Sequence, residues 1–170
     1  MKTNHTSNCY KSLAVMCALI GLIYSQSQAA DDAPYFHHDY NTALASASKA
    51  GKPLIVVFSA SWCPPCQKMK KNVYPSSKVQ PYHESFVWAY LDADESKNKP
   101  LMSKFGVNGI PHITFARPDG SYIGHFAGSV SPTQFTGILD KVKIDAKRPS
   151  GSGSTPQPGS GSGRKGSGNK

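Results

Sequence analysis

Cys63 and Cys66 stand two residues apart in Trp62-Cys63-Pro64-Pro65-Cys66, and a Cys-x-x-Cys pair can hold a metal, close a static bridge or work as a redox dithiol. A structural zinc takes about four protein ligands. The chain has no second Cys-x-x-Cys and no His-x-x-x-His, so no metal is expected. A bridge across so short a loop constrains the unfolded chain little, which weakens the static reading without removing it. The flanking residues favour redox exchange.

The other two cysteines, Cys9 and Cys17, lie in a stretch that reads as a secretory signal over residues 1–30. Lys2 and Lys11 precede an apolar run from Leu13 to Tyr24, and Ala29 and Ala30 supply small residues at its end. About a dozen apolar residues fall short of the roughly 20 that span a bilayer. Removal of the signal leaves Cys63 and Cys66 to pair with each other or with a partner. The expected location is therefore periplasmic or otherwise exported, soluble after cleavage.

The formal charge of +9 is unevenly placed. From Asp31 to Ala146, twelve Lys and Arg face ten Asp and Glu, and the excess sits in Lys2, Lys11, Lys147, Arg148, Arg164, Lys165 and Lys170. No nucleic-acid partner is expected of the central segment. Residues 31–146 are enough for one domain with a single core, expected as a monomer. Residues 147–170 form a basic tail rich in Gly and Ser, with no apolar side chain from Pro149 onward, and are expected to be disordered.

The elements that must position the pair alternate between strand and helix. Tyr40 to Ala50 is Ala-rich and helix-favouring, with Gly51 to end it and Pro53 just beyond. Leu54 to Phe58 is a continuous β-branched and apolar run, the pattern of a strand covered on both faces. A helix begins at the Cys pair and is expected to reach about Tyr74, ahead of Pro75. Cys66, Met69 and Val73 share one face of it. Phe86 to Leu91 reads as a strand, Leu101 to Phe105 as a short helix, and Ile113 to Ala116 with Tyr122 to Phe126 as a hairpin around Pro118-Asp119-Gly120. A last helix starts at Ser131 or Pro132, with Phe135, Ile138, Leu139 and Val142 inward. The sum is a mixed sheet sandwiched by helices.

That order resembles the thioredoxin superfamily. The residues that carry the resemblance are Phe58-Ser59-Ala60-Ser61-Trp62-Cys63-Pro64-Pro65-Cys66, Phe105-Gly106-Val107-Asn108-Gly109-Ile110-Pro111, Pro118-Asp119-Gly120 and Gly128. Within it, the chain looks most like the C-terminal domain of the periplasmic thiol:disulfide interchange protein. The resemblance implies an α/β thioredoxin fold in a single domain. It places Cys63 at a helix N-terminus, where free N–H groups and the dipole favour a thiolate. A fall in Cys pKa from about 8.5 to about 7 raises the thiolate fraction at neutral pH from ~3% to ~50%. Nucleophilicity falls with a slope of about 0.4 to 0.5, leaving about a threefold to fourfold gain in attack.

By the same resemblance, Cys66 resolves the mixed disulfide, and Pro64 and Pro65 stiffen the turn without breaking the helix. Pro111 is expected to be cis and to face the Cys pair, with the backbone of Ile110 offered to an extended substrate segment. Trp62 covers the nucleophile and presents an apolar surface. His112 is a candidate modulator of Cys63, with a plain strand histidine as the alternative. No cofactor is implied beyond the Cys63–Cys66 dithiol itself. One departure stands out: the family's buried Asp, six residues before the first Cys, is Val57 here, and its Lys partner falls near Tyr90.

The implied function is a thiol:disulfide oxidoreductase acting on protein thiols and disulfides, with Pro-Pro resembling reducing members, and fed by a membrane-bound or soluble thiol electron donor. The alternatives are a non-enzymatic thioredoxin-fold binding or chaperone module, and a dedicated apocytochrome c thiol reductase.

Overall fold

Asp39 opens the first helix by accepting from Thr42 N at 2.9 Å, and Gly51, in the left-handed region at φ 64°, closes it. This is the computed structural model of the chain, and it describes residues 33–148. The stretch read as a signal over residues 1–30 and the tail beyond residue 148 lie outside the described residues. Strands β1 (Phe36–His37), β2 (Leu54–Ser59), β3 (Val87–Asp92), β4 (His112–Ala116) and β5 (Tyr122–Ala127) form one sheet in the order β1-β3-β2-β4-β5. β2 pairs in parallel with β3 and antiparallel with β4, so the sheet is mixed.

Helices α1 (Tyr40–Ala50), α2 (Pro64–Asn72), α3 (Gln80–His83), α4 (Lys99–Lys104) and α5 (Pro132–Ala146) cover it. All six residues of β2 are buried, as a strand covered on both faces requires. Alternation sends Ile55 and Val57 to one face, with Met69 of α2 and Phe135, Leu139 and Val142 of α5. Val56 and Phe58 go to the other, with Ala43 and Ala47 of α1 and Phe105 beyond α4. Each fully buried aliphatic or aromatic side chain contributes about 1.5–3 kcal/mol.

α2 stops at Asn72, two residues short of the expected end. Val73 N and Tyr74 N both donate to Met69 O, at 3.0 and 3.1 Å, and Tyr74 precedes Pro75, whose ring disfavours a helical residue before it. Ser131 is the N-cap of α5 and exchanges bonds with Gln134 in a capping box, with Pro132 as first helical residue. The hairpin closes as predicted: Gly120 N donates to Arg117 O at 2.9 Å, and Gly120 has φ 82°. Arg117 ties this turn to the far end of α5, donating to Tyr122 O, Asp145 O and Arg148 O at 3.1 to 3.3 Å. Those acceptors at Asp145 and Arg148 belong to the end of a helix, where carbonyls lack intrahelical partners. Three short elements carry no sequence signal read above: β1, α3 and a 3-10 turn at Ser96–Asn98. Among the described residues no helix is long and apolar enough to cross a membrane.

Candidate functional site

β2 ends at Ser59, and a four-residue turn delivers the chain to α2. Cys63 is the N-cap of that helix, in an extended conformation, and Pro64 and Pro65 fill its first positions, where no helical hydrogen bond is lost. The two cysteines are joined in a disulfide with Cα atoms 5.3 Å apart. Cys66 N donates to Cys63 Sγ at 3.3 Å, so the first N–H of α2, whose two opening prolines have none, is aimed at that sulfur. On the opposite side, Cys63 Sγ lies 3.8 Å from Ile110 O. A helix terminus and the backbone of Ile110 thus meet at one atom.

The Ile110–Pro111 bond is cis, as the resemblance implies. Pro111 is buried, and its carbonyl accepts from Gly128 N at 2.8 Å, which holds this loop to the end of β5. Ile110 is half-buried and packs with Ala60, Cys63 and Cys66. Cys66 is 1% exposed and Cys63 3%, so both sulfurs are covered in the oxidised state.

Trp62 is 65% exposed and presents its ring at the surface rather than in the core. Its indole is nevertheless fixed, because Trp62 Nε1 donates to Asp94 Oδ2 at 2.6 Å. Asp94 sits on a loop braced by Asp92 Oδ1, which accepts from Asp94 N at 2.9 Å, and by Asn98 Nδ2, which donates to Asp92 O at 2.8 Å. Sequence reasoning missed Asp94; its only signal was the carboxylate cluster Asp92-Ala93-Asp94-Glu95 straight after a strand.

Val57 lies on the α2 face of the sheet, in register with Tyr90, and is completely buried. No charged pair occupies this position. The polar groups there are Ser59 Oγ and the Tyr90 hydroxyl, 2.5 Å apart, with Lys70 Nζ 5.0 Å from the Tyr90 ring centre.

His112 falls on the other face. It is paired with Phe58, 2% exposed, and stacked on His125 with ring centres 4.9 Å apart. Its Nε2 is buried without a hydrogen-bond partner. Burial, and then the neighbouring His125, pull its pKa down to about 4, so it is a neutral ring at physiological pH. Two further histidines are hydrogen-bonded: His83 Nε2 to Tyr74 O at 2.8 Å, and His125 Nδ1 to the Tyr122 hydroxyl. No cluster of three metal-ligating side chains occurs among the described residues.

A family model described as a thioredoxin-like domain matches residues 40–143. A thiol:disulfide interchange protein TxlA homolog from Synechocystis sp. is 34% identical over 85 residues, 50% of this chain and 46% of the relative. The solution structure of a thioredoxin from Thermus thermophilus superposes with a TM-score of 0.59 at 27% identity, covering 65% of this chain and 88% of that one. The oxidised C-terminal domain of DsbD from Neisseria meningitidis shares the fold, with a TM-score of 0.53 at 22% identity over 63% of this chain and 98% of that one. The chain spans less than half the length of the curated relatives it matches. Fold and family agree with what the residues from Phe58 to Gly128 implied.

Proposed function

The chain belongs to the thioredoxin-like domain family, and on that premise we propose that it is an exported thiol:disulfide oxidoreductase acting on proteins, chiefly as a reductase. The observation that carries this is the placement of Cys63 Sγ, 3.3 Å from Cys66 N at the start of α2 and 3.8 Å from Ile110 O. The first neighbour favours a thiolate when the pair is reduced, and the second lies on a backbone edge suited to an extended peptide. The similarity to a thiol:disulfide interchange protein supports the same reaction class.

In the reducing direction, the Cys63 thiolate attacks one sulfur of a substrate disulfide. A Cys63–substrate bond forms, the substrate S–S bond breaks, and the displaced sulfur leaves as a thiolate that takes a proton from solvent. Cys66 then loses its proton and attacks Cys63 Sγ. The mixed disulfide breaks, the second substrate sulfur leaves, and the Cys63–Cys66 bond closes. Two electrons have passed from the dithiol to the substrate. A membrane-bound or soluble dithiol donor returns them, and the cysteines themselves serve as the electron carrier. Pro64-Pro65 supports the reducing direction by its likeness to reducing family members, and the signal-like segment at residues 1–30 supports export.

The test is Cys66→Ala in the reduced protein. Mixed disulfides trapped through Cys63, together with insulin reduction by the parent in the presence of dithiothreitol, are the expected results. A Cys66→Ala protein that binds partners without covalent trapping, beside an inert parent, would favour the second reading. That reading is a binding or chaperone module with a closed surface disulfide, and the apolar Val57 at the position of the family's buried acid is the observation in its favour.

A further inference from the structure

The turn that carries Cys63 from β2 to α2 hangs on one carbonyl. Ala60 O accepts from Cys63 N at 3.3 Å, long for an N–H···O bond, and from the side-chain amide of Gln67, Nε2, at 3.0 Å. Gln67 is half-buried, one residue past Cys66, and its backbone N donates to Cys63 O at 3.1 Å. The same residue therefore holds both ends of the turn. Its backbone grips the residue that caps α2, and its side chain grips the residue from which the turn departs. The Ala60 side chain in turn packs against Cys63 and Cys66.

We infer that Gln67 is a positioning residue for Cys63, clamping the turn at Ala60 so that Cys63 Sγ stays aligned with the Cys66 N–H at the start of α2. The interaction between a thiolate and backbone N–H groups depends steeply on direction, and beyond a long bond it weakens quickly. Without the amide clamp, Ala60 O keeps only the 3.3 Å bond from Cys63 N, and the sulfur is freer to swing from the Cys66 N–H. The thiolate then loses part of its stabilisation. Cys63 titrates higher and reacts more slowly at neutral pH. Gln67 does not touch substrate; it acts through Ala60 and Cys63. As to catalysis the inference rests on the exchange reading above, but the titration of Cys63 does not.

The experiment compares the reduced parent with Gln67→Met and Gln67→Asn. Methionine keeps the length and removes the donor, and asparagine keeps an amide that is one methylene too short. Thiolate absorbance against pH gives the Cys63 titration, and iodoacetamide alkylation at pH 7 gives its reactivity. The expected result is an upward move of about half a pH unit and about a twofold to threefold slower alkylation in both variants. A Cys63 titration in Gln67→Met indistinguishable from the parent overturns the inference. So does a shift in Gln67→Met with a parent-like Gln67→Asn, because side-chain polarity rather than the bond to Ala60 would then be responsible. If the parent reduces no protein disulfide and the titration still moves as expected, the proposed function fails and the role of Gln67 stands.

Discussion

Trp62 Nε1 and Asp94 Oδ2 stand 2.6 Å apart, so the most exposed aromatic beside the disulfide is held by a carboxylate from the neighbouring loop. A charged acceptor makes this a strong bond of its kind, yet its exposure limits what it adds to global stability. Asp94→Ala is expected to cost less than about 1 kcal/mol in urea unfolding while freeing the indole. Fluorescence anisotropy checks it: the Trp62 contribution should fall, while that of Trp88, 2% exposed, stays fixed. Unchanged anisotropy would show that packing alone holds Trp62.

Val57 offers a second test, because it is completely buried on the α2 face and faces no charge there. Val57→Asp is expected to destabilise the protein by about 2 to 4 kcal/mol. Burial raises that carboxyl, so the native state holds the proton longer than the unfolded chain. The deficit therefore grows as pH rises above about 3.9. If a buried acid assists proton transfer from Cys66, stopped-flow resolution of a Cys63 mixed disulfide should be severalfold faster in the variant. Equal or slower resolution would mean that this site works without such help.

His112 sets a pH window for stability. Its folded pKa of about 4 lies below the ordinary value of 6.5, so the unfolded chain takes up the proton first as pH falls. The stabilisation from a neutral His112 is complete above pH 6.5 and is lost progressively toward pH 4, by about 3 kcal/mol in all. In His112→Phe, which keeps a ring against Phe58, urea midpoints should flatten across this window. A parent-like slope in the variant would assign the pH dependence to other groups.

The last helix depends on its first residue. Ser131→Ala removes the hydroxyl that accepts from Gln134 N at 3.3 Å and donates to Gln134 Oε1 at 2.9 Å. The expected cost is about 1 kcal/mol, with an unchanged denaturant slope. Leu139→Ala, deep in the face that α5 covers, should cost about 2 to 5 kcal/mol by comparison.

Much of this was legible in the residues. Leu54 to Phe58 announced a central strand because nothing polar interrupts it, and Gly51, Pro118-Asp119-Gly120 and Ser131 marked their caps and turn through backbone chemistry that is local in sequence. Cys63, Cys66 and Pro111 were found through motif and order. Asp94, Gln67 and the Ser59–Tyr90 hydroxyl pair were not, because each matters through a partner on another element: Asp94 is 32 residues from Trp62, and Tyr90 is 31 from Ser59. Those two contacts exist only after the sheet has brought β2 and β3 side by side, and Gln67 meets Ala60 O only once the turn into α2 has formed. β1 was illegible for a similar reason, since two residues carry no periodicity and only pairing with β3 makes them a strand. His112 was seen, but the sequence could not say which side of β4 it takes. The register that sets it opposite Phe58 puts it on the sheet face away from α2.

In the oxidised protein the reactive sulfur is hidden and its neighbour is displayed: Cys63 is 3% exposed and Trp62 65%. On the exchange reading proposed above, a protein that docks on Trp62 and lays a strand along Ile110 arrives aimed at Cys63. On that reading, contact at the exposed Trp62 comes first and bond exchange at the covered Cys63–Cys66 pair second.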